Sequence, residues 1–237
     1  MWVVVRGVID FTAMGKAERA SVMGRARWLQ RCCQHCLRLL HVRTETTGAV
    51  VRGVLITPNH VSYLDIIVLG ALAPTVFVAK AEVQGWPVFG WFAQKAGTLF
   101  LRREVRSELV RIGAELDPVL ASGANLIVFL EGTSTDGTMV RAFKAGMLEP
   151  AVRAEWTVCP AGLSYRVPEG HDVRLEVAWW GTMPLASHLA GLLALEWIDV
   201  RVGWGRSRVA VGDRKAMAVE LHAEVERLSR ADGANET

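Results

Sequence analysis

The sequence predicts an α/β fold: a mostly parallel central sheet covered by helices, with an amphipathic helical segment in front of it. Three observations lead there. From about residue 50 onward, short runs that are apolar on both faces alternate with stretches of helical periodicity, the pattern of strands buried on both sides. No linker composition or internal repeat divides the chain. With 237 residues, 51% of them hydrophobic, the chain can fill a core of that size.

The first element is a helix over residues 24–41, "GRARWLQRCCQHCLRLLH". Trp28, Leu29, Cys32, Cys33, Cys36, Leu37 and Leu40 fall on one side of it, and Arg27, Arg31, Gln34 and Arg38 on the other. Such a stripe serves equally a helix docked on the protein and one lying on a membrane. Three of the 4 cysteines sit in this helix. The Cys33-x-x-Cys36 pair has no second pair and too few ligands for a closed zinc site, so the helix predicts packed, reduced thiols in a cytoplasmic setting, with no metal.

Strands and helices then follow in turn. "AVVRGVLIT" reads as a strand, "SYLDIIVLGAL" as a helix, "TVFVAK" as a strand, "WPVFGWFAQK" as a helix and "GTLFLR" as a strand. "VRSELVRIGAELDPVLASG" reads as a helix, "NLIVFLEG" as a strand, "FKAGMLEPAVRA" as a helix, and "WTVCPAGLSY" and "VRLEVAWW" as strands. A helix at 184–196, a strand "IDVRVGW" and the amphipathic helix "AMAVELHAEVERLSR" close the chain. The expected division is an N-terminal membrane-associating or docking segment at 1–48, a catalytic domain at 49–230 and a frayed tail at 231–237.

Composition narrows the function. A net charge of +3 without aromatic-basic interleaving argues against nucleic acid. A mean hydropathy of +0.24 with nine Trp points to contact with lipid or a large apolar ligand. No run reaches the ~18 uncharged apolar residues of a spanning helix. The opening "MWVVVRGVID" is broken at Arg6 and Asp10, and "MPLASHLAGLLALEWI" is short and holds His188. The expectation is no spanning helix and no cleaved signal.

In such folds, function gathers where strands end. After the first strand, "TPNHVSYLD" sets His60 five positions before Asp65. Pro58 and Asn59 end the strand, and Ser62-x-x-Asp65 has the form of a capping box with Ser62 as N-cap. His60 then stands in the loop ahead of the helix and Asp65 in its first turn, where the two can converge. Spacing alone also fits a simple cap beside a loop histidine. "VFLEGTSTDGT" opens a strand into Glu131, Gly132 and small hydroxyl residues able to turn backbone N–H groups toward an anion. It lacks the Gly-Lys-Ser/Thr ending of a nucleotide loop. Arg102, Arg103 and Arg106 follow another strand, as a phosphate clamp or as the solvated start of a helix.

Taken in order, "NHVSYLD", "AKAEVQGWPVFGWFAQKAGTLFLRR", "VFLEGTSTDG" and "VCPAGLSY" resemble the four sequence blocks of the glycerolipid acyltransferases, the family of lysophosphatidic acid acyltransferase. The resemblance covers roughly residues 50–165 and implies a glycerol-3-phosphate acyltransferase-like fold. It implies that His60 is the general base and that Asp65 orients it, the acceptor hydroxyl attacking the thioester of acyl-CoA or acyl carrier protein without an acyl-enzyme. It further implies acceptor or carrier binding by Lys80, Arg103, Glu131, Gly132, Thr133, Ser134 and Pro160, with Phe143, Lys144 and Gly146 in register beyond them. No cofactor is implied beyond the acyl donor. The partners implied are a lysolipid and the cytoplasmic face of the inner membrane, touched by the 24–41 helix, Trp86, Phe89, Trp91 and Phe92.

Two departures bear on the acceptor. The family's Pro before the Glu is Leu130 here, and its Arg after the Thr is Ser134. Lysophosphatidate is the first expectation because it is the family's commonest acceptor. "EGTSTDG" looks more like bacterial members that acylate other lysolipids, including lyso-ornithine lipid. A catalytically silent lipid-binding protein and an acyl-thioester hydrolase are the readings from other classes.

Overall fold

The computed structural model describes residues 2–49, 51–102 and 106–230. Its sheet is built from strands β1 (Val42–Thr47), β2 (Leu55–Pro58), β3 (Thr75–Lys80), β4 (Leu99–Leu101), β5 (Asn125–Ile127), β6 (Thr157–Arg166), β7 (Ile198–Trp204) and β8 (Arg208–Val209). The order is β1-β7-β6-β2-β5-β3-β4, with β8 beside β6. The pairings β1/β7, β6/β2, β2/β5, β5/β3 and β3/β4 are parallel, and among the described residues only β6/β7 and β6/β8 are antiparallel. Strands β6, β2, β5, β3 and β4 therefore all deliver their carboxyl ends to one edge.

Alternation along the strands explains why they read as apolar throughout. Leu55, Val76, Val78, Leu126, Val128 and Val158 face one core; Ile56, Phe77, Ile127, Phe129 and Cys159 face the other. The first core is covered by α6 (Arg106–Ala121), α7 (Glu149–Arg153) and α10 (Arg214–Ser229), through Leu116, Val119, Ala151 and Leu221. The second is covered by α3 (Val22–Leu39), α4 (Leu64–Leu72) and α9 (Leu185–Ala194), through Cys33, Leu37, Leu64, Leu69 and Leu192. Gly162 of β6 lies so close to α10 that a Cβ there would collide with the backbone of Leu228.

The N-terminal region is part of this body. Strand β1 pairs with β7 along its whole length, so the expected division at residues 48 and 49 falls between β1 and the sheet it belongs to. The stripe of α3 is turned inward: Trp28, Cys32, Cys33 and Leu37 are buried and the thiols are free. Outside α3 lies α1 (Trp2–Ala13), joined to it through the short α2 (Lys16–Ala20). Trp28 is the lock between these layers. It stacks on Phe92 of α5 (Phe89–Ala96) at 5.4 Å, meets Phe11 edge-on at 5.0 Å, and donates from Nε1 to the Gly7 carbonyl at 3.0 Å.

Three sequence expectations are corrected. The segment "VRLEVAWW" is not a strand: α8 (Val173–Glu176) occupies its first half. Asp172 caps that helix by accepting from Arg174 N, and Glu176 reaches back to the Asp172 N–H at 2.9 Å, which outweighs the two-residue alternation. The expected helix at 143–154 is split into a 3-10 turn, Ala145–Leu148, and α7, with Pro150 in its first turn. The aromatic residues Trp91 and Phe92, expected on the bilayer, pack on Phe11 and Trp28. The expected tail at 231–237 lies outside the described residues.

Trp28→Ala removes a fully buried ring and the bond that holds α1. A loss of about 3–5 kcal/mol is expected, measured as a lowered midpoint in urea-induced unfolding.

Candidate active site

The carboxyl edge of the sheet collects the chemistry. After β2, Asn59 is buried and locks the chain to β6, donating from Nδ2 to the Leu163 carbonyl at 3.1 Å and accepting the Leu163 N–H at 2.7 Å. The bend that follows brings His60 Nδ1 to 2.8 Å from Asp65 Oδ2. The cap and the pair are one structure. Asp65 Oδ2 also accepts the backbone N–H groups of Val61 at 2.7 Å and Ser62 at 2.9 Å. Ser62 is thus the residue whose N–H the carboxylate caps, while its own Oγ accepts from Leu64 N at 3.3 Å and Tyr63 takes the N-cap position.

Asp65 is fully buried, and its other oxygen accepts a hydrogen bond from the Tyr165 hydroxyl at 2.6 Å. Burial first, and then the neighbouring Asp65, hold the Tyr165 phenol well above its ordinary range, so it stays an O–H donor. An Oδ2 that already takes two backbone N–H groups can only accept, so the proton between it and His60 resides on Nδ1. That leaves Nε2 with its lone pair.

The segment that continues from β5 supplies the other face of the imidazole. Phe129 stacks on the His60 ring at 3.9 Å and 20°. Two residues on, Glu131 Oε1 accepts the His60 N–H at 2.6 Å, and Oε2 accepts the Arg141 N–H at 2.7 Å. Thr135 returns to the same place, donating from its N–H to the His60 carbonyl at 3.0 Å and from Oγ1 at 3.3 Å. Gly132 takes φ +80°, a left-handed turn that a side chain would strain, and its N–H closes the turn onto the Phe129 carbonyl. Thr133 is exposed, and Ser134 Oγ donates to the Trp179 carbonyl at 2.5 Å.

The remaining sequence candidates separate. Lys80 stands exposed at the end of β3, with Arg102 following beside it because Lys80 and Leu101 are in register. Both lie along the edge, two and three strands from β2. Arg103 lies outside the described residues. Pro160 is buried within β6 opposite Thr57, its carbonyl accepting from Gly205 N, so its place is in the packing of the sheet. The cysteines are no rivals to His60 as reactive groups: burial pushes Cys36 up to about 11 and Cys33 well above its usual value.

Sequence reasoning named His60, Asp65 and Glu131 but missed Phe129, Thr135 and Tyr165. His188 is buried, and its Nε2 faces the Ala178 carbonyl at 3.0 Å and must carry the proton. Its Nδ1 therefore accepts from the Tyr63 hydroxyl at 3.0 Å, tying α9 to the start of α4. The signal that could have drawn notice was position: Phe129 and Thr135 lie in the third block and Tyr165 ends the fourth.

Tyr165→Phe keeps the ring and leaves a buried carboxylate oxygen unpaired. A loss of about 1–3 kcal/mol in stability is expected from thermal or urea unfolding. Glu131 sets a pH dependence. Burial, outweighing the two N–H bonds it accepts, raises its carboxyl from the usual 4.5 to about 7. A group whose folded value is raised contributes stability at low pH and loses it as pH climbs, here between about 4.5 and 7. Glu131→Gln should therefore flatten the stability-against-pH curve in that window, as read by unfolding at a series of pH values.

With this geometry in place, relatives give it a family. A model of the family described as Acyltransferase matches residues 40–164. Lyso-ornithine lipid O-acyltransferase of Brucella abortus (strain 2308) is 36% identical over 206 residues, spanning 81% of this chain and 77% of that protein. The 1-acyl-sn-glycerol-3-phosphate acyltransferase of Neisseria meningitidis serogroup B is 37% identical over 113 residues, 48% of this chain and 44% of that one. In fold, the chain is similar to the crystal structure of the 1-acyl-sn-glycerophosphate (LPA) acyltransferase PlsC from Thermotoga maritima, with a TM-score of 0.65 at 18% identity, over 98% of this chain and 88% of that one. The α/β architecture, the His60–Asp65 pair and these similarities together show that this chain belongs to the acyltransferase family and is an acyltransferase.

Proposed function

We propose that this acyltransferase moves a fatty acyl group from acyl-CoA or acyl carrier protein to the free hydroxyl of a lysolipid at a membrane surface, with lyso-ornithine lipid as the favoured acceptor. The observation that carries the reading is the state of His60. Its N–H, carbonyl, Nδ1 and ring face are each engaged by Glu131, Thr135, Asp65 and Phe129. The free lone pair of Nε2 is the group left for chemistry.

In the reaction, Nε2 takes the proton of the acceptor hydroxyl as its oxygen attacks the thioester carbonyl carbon. Asp65 offsets the positive charge that forms on the ring. The carbon–sulfur bond then breaks, and the departing thiolate recovers that proton from the imidazolium, leaving ester and thiol. No acyl group is placed on the protein.

Two observations favour lyso-ornithine lipid over lysophosphatidate. Residues 131–138, "EGTSTDGT", offer no cation to a phosphate, and the Ser134 hydroxyl is committed to the Trp179 carbonyl. The similarity to the Brucella protein also runs over far more of the chain than that to the Neisseria one.

Membrane contact passes from α3, whose stripe is buried, to α1. Trp2, Val5 and Ile9 are 62%, 51% and 55% exposed there, with Val4 and Val8 beside them. An exposed apolar stripe suits seating in the lipid interface. Among the described residues no helix is long and apolar enough to cross a membrane. A peripheral position on the cytoplasmic face of the inner membrane fits both.

Thiol release from acyl-CoA, followed with lyso-ornithine lipid, with lysophosphatidate and with no acceptor, tests the proposal. Release is expected only with acceptor and fastest with lyso-ornithine lipid, and His60→Ala should lower it by about 10²- to 10⁴-fold. Faster use of lysophosphatidate would overturn the acceptor, release without acceptor would make the protein a thioesterase, and full activity in His60→Ala would remove the base.

A further inference from the structure

We propose that Glu131 is a positioning residue for His60 and not a ligand for the acceptor. The inference rests on the reading of His60 as the base. A carboxylate that binds substrate needs a free oxygen facing the cleft. Glu131 is only 2% exposed, and each oxygen already accepts a short bond from a backbone N–H, one from His60 and one from Arg141.

What those bonds join is informative. His60 belongs to the loop after β2, and Glu131 and Arg141 stand at the two ends of an excursion that follows β5. Glu131 thus stakes both ends of the 131–141 loop and fixes it to the segment that carries the base. Within the loop, Thr135 grips the His60 carbonyl, and Ser134 and Asp136 hold Trp179 and Arg174. Lys144 N, donating to the Leu130 carbonyl at 2.9 Å, closes the excursion behind. Because Phe129 and Glu131 are two residues apart, the same short segment after β5 provides the plate under the imidazole and the anchor on its backbone. Loss of the anchor tilts Nε2 relative to that plate, and small misplacements of a reacting group cost rate without weakening binding.

Glu131→Gln is the test, because its amide can accept from one N–H but presents donors to the other. Two readouts are needed: kcat and acceptor KM measured separately with acyl-CoA and a lysolipid, and hydrogen exchange at the His60 and Arg141 amides. A positioning role predicts that kcat falls about tenfold or more while acceptor KM stays within about threefold, and that at least one of the two amides loses protection. Thr135→Val, which removes the hydroxyl's bonds to the His60 and Met139 carbonyls and to the Gly137 N–H while keeping the Thr135 N–H bond to His60, should move kcat and KM in the same pattern and keeps the test available if Glu131→Gln folds poorly. A tenfold rise in acceptor KM with kcat held and both amides still protected would overturn the proposal. Absence of transfer by the wild-type protein would defeat the functional reading instead, and amide exchange would still decide the clamp.

Discussion

The carboxylate of Asp65 is the constraint from which the site follows. A fully buried charge is costly unless its oxygens are satisfied, and this one accepts from two backbone N–H groups, an imidazole and a phenol. Each donor comes from a different demand of the fold. The N–H groups belong to the opening of α4, the imidazole to the loop after β2, and the phenol to β6. Asp65 can be charged there only if helix, loop and strand are all in place, so cap and catalytic orientation are the same four bonds.

The sheet makes that convergence possible. Strands β5 and β6 flank β2 and run parallel to it, so all three point their carboxyl ends the same way. Residues at or just beyond their carboxyl ends therefore meet: His60 bonds Glu131, 71 positions away, and Asp65 bonds Tyr165, 100 positions away. The antiparallel β7 and the N-terminal β1 extend the sheet on the far side of β6, and α1 leans on α3 through Trp28. The exposed apolar side of α1 thus lies outside α3, on the same face of the sheet as α4, the helix that carries Asp65.

Much of this was legible in the sequence because buried parallel strands and the covering helices leave strong patterns. Strand β3 begins and ends where its apolar run does, and α4 follows its Ser62-x-x-Asp65 signal. What stayed hidden had physical causes. Strand β1, "VRTETT", is a largely exposed sheet edge and shows no apolar face. Helix α1 opens on "WVVV", whose β-branched residues favour strands in isolation and yield here to packing on α3. The facing of the α3 stripe could not be read, since lipid and core select the same residues. Tyr165 and Phe129 looked like ordinary core positions because they are core positions, with one polar or aromatic contact turned toward the site. The family resemblance located Glu131 yet could not show that both its oxygens were already occupied.

The central claim is that Asp65 holds His60 as the Nδ1–H tautomer with Nε2 unprotonated and available. Long-range nitrogen–proton correlation spectra of the protein labelled with nitrogen-15 histidine measure this directly. The account predicts a His60 ring with a protonated Nδ1 and a pyridine-like Nε2 shift. An Nε2–H tautomer at that position would contradict it.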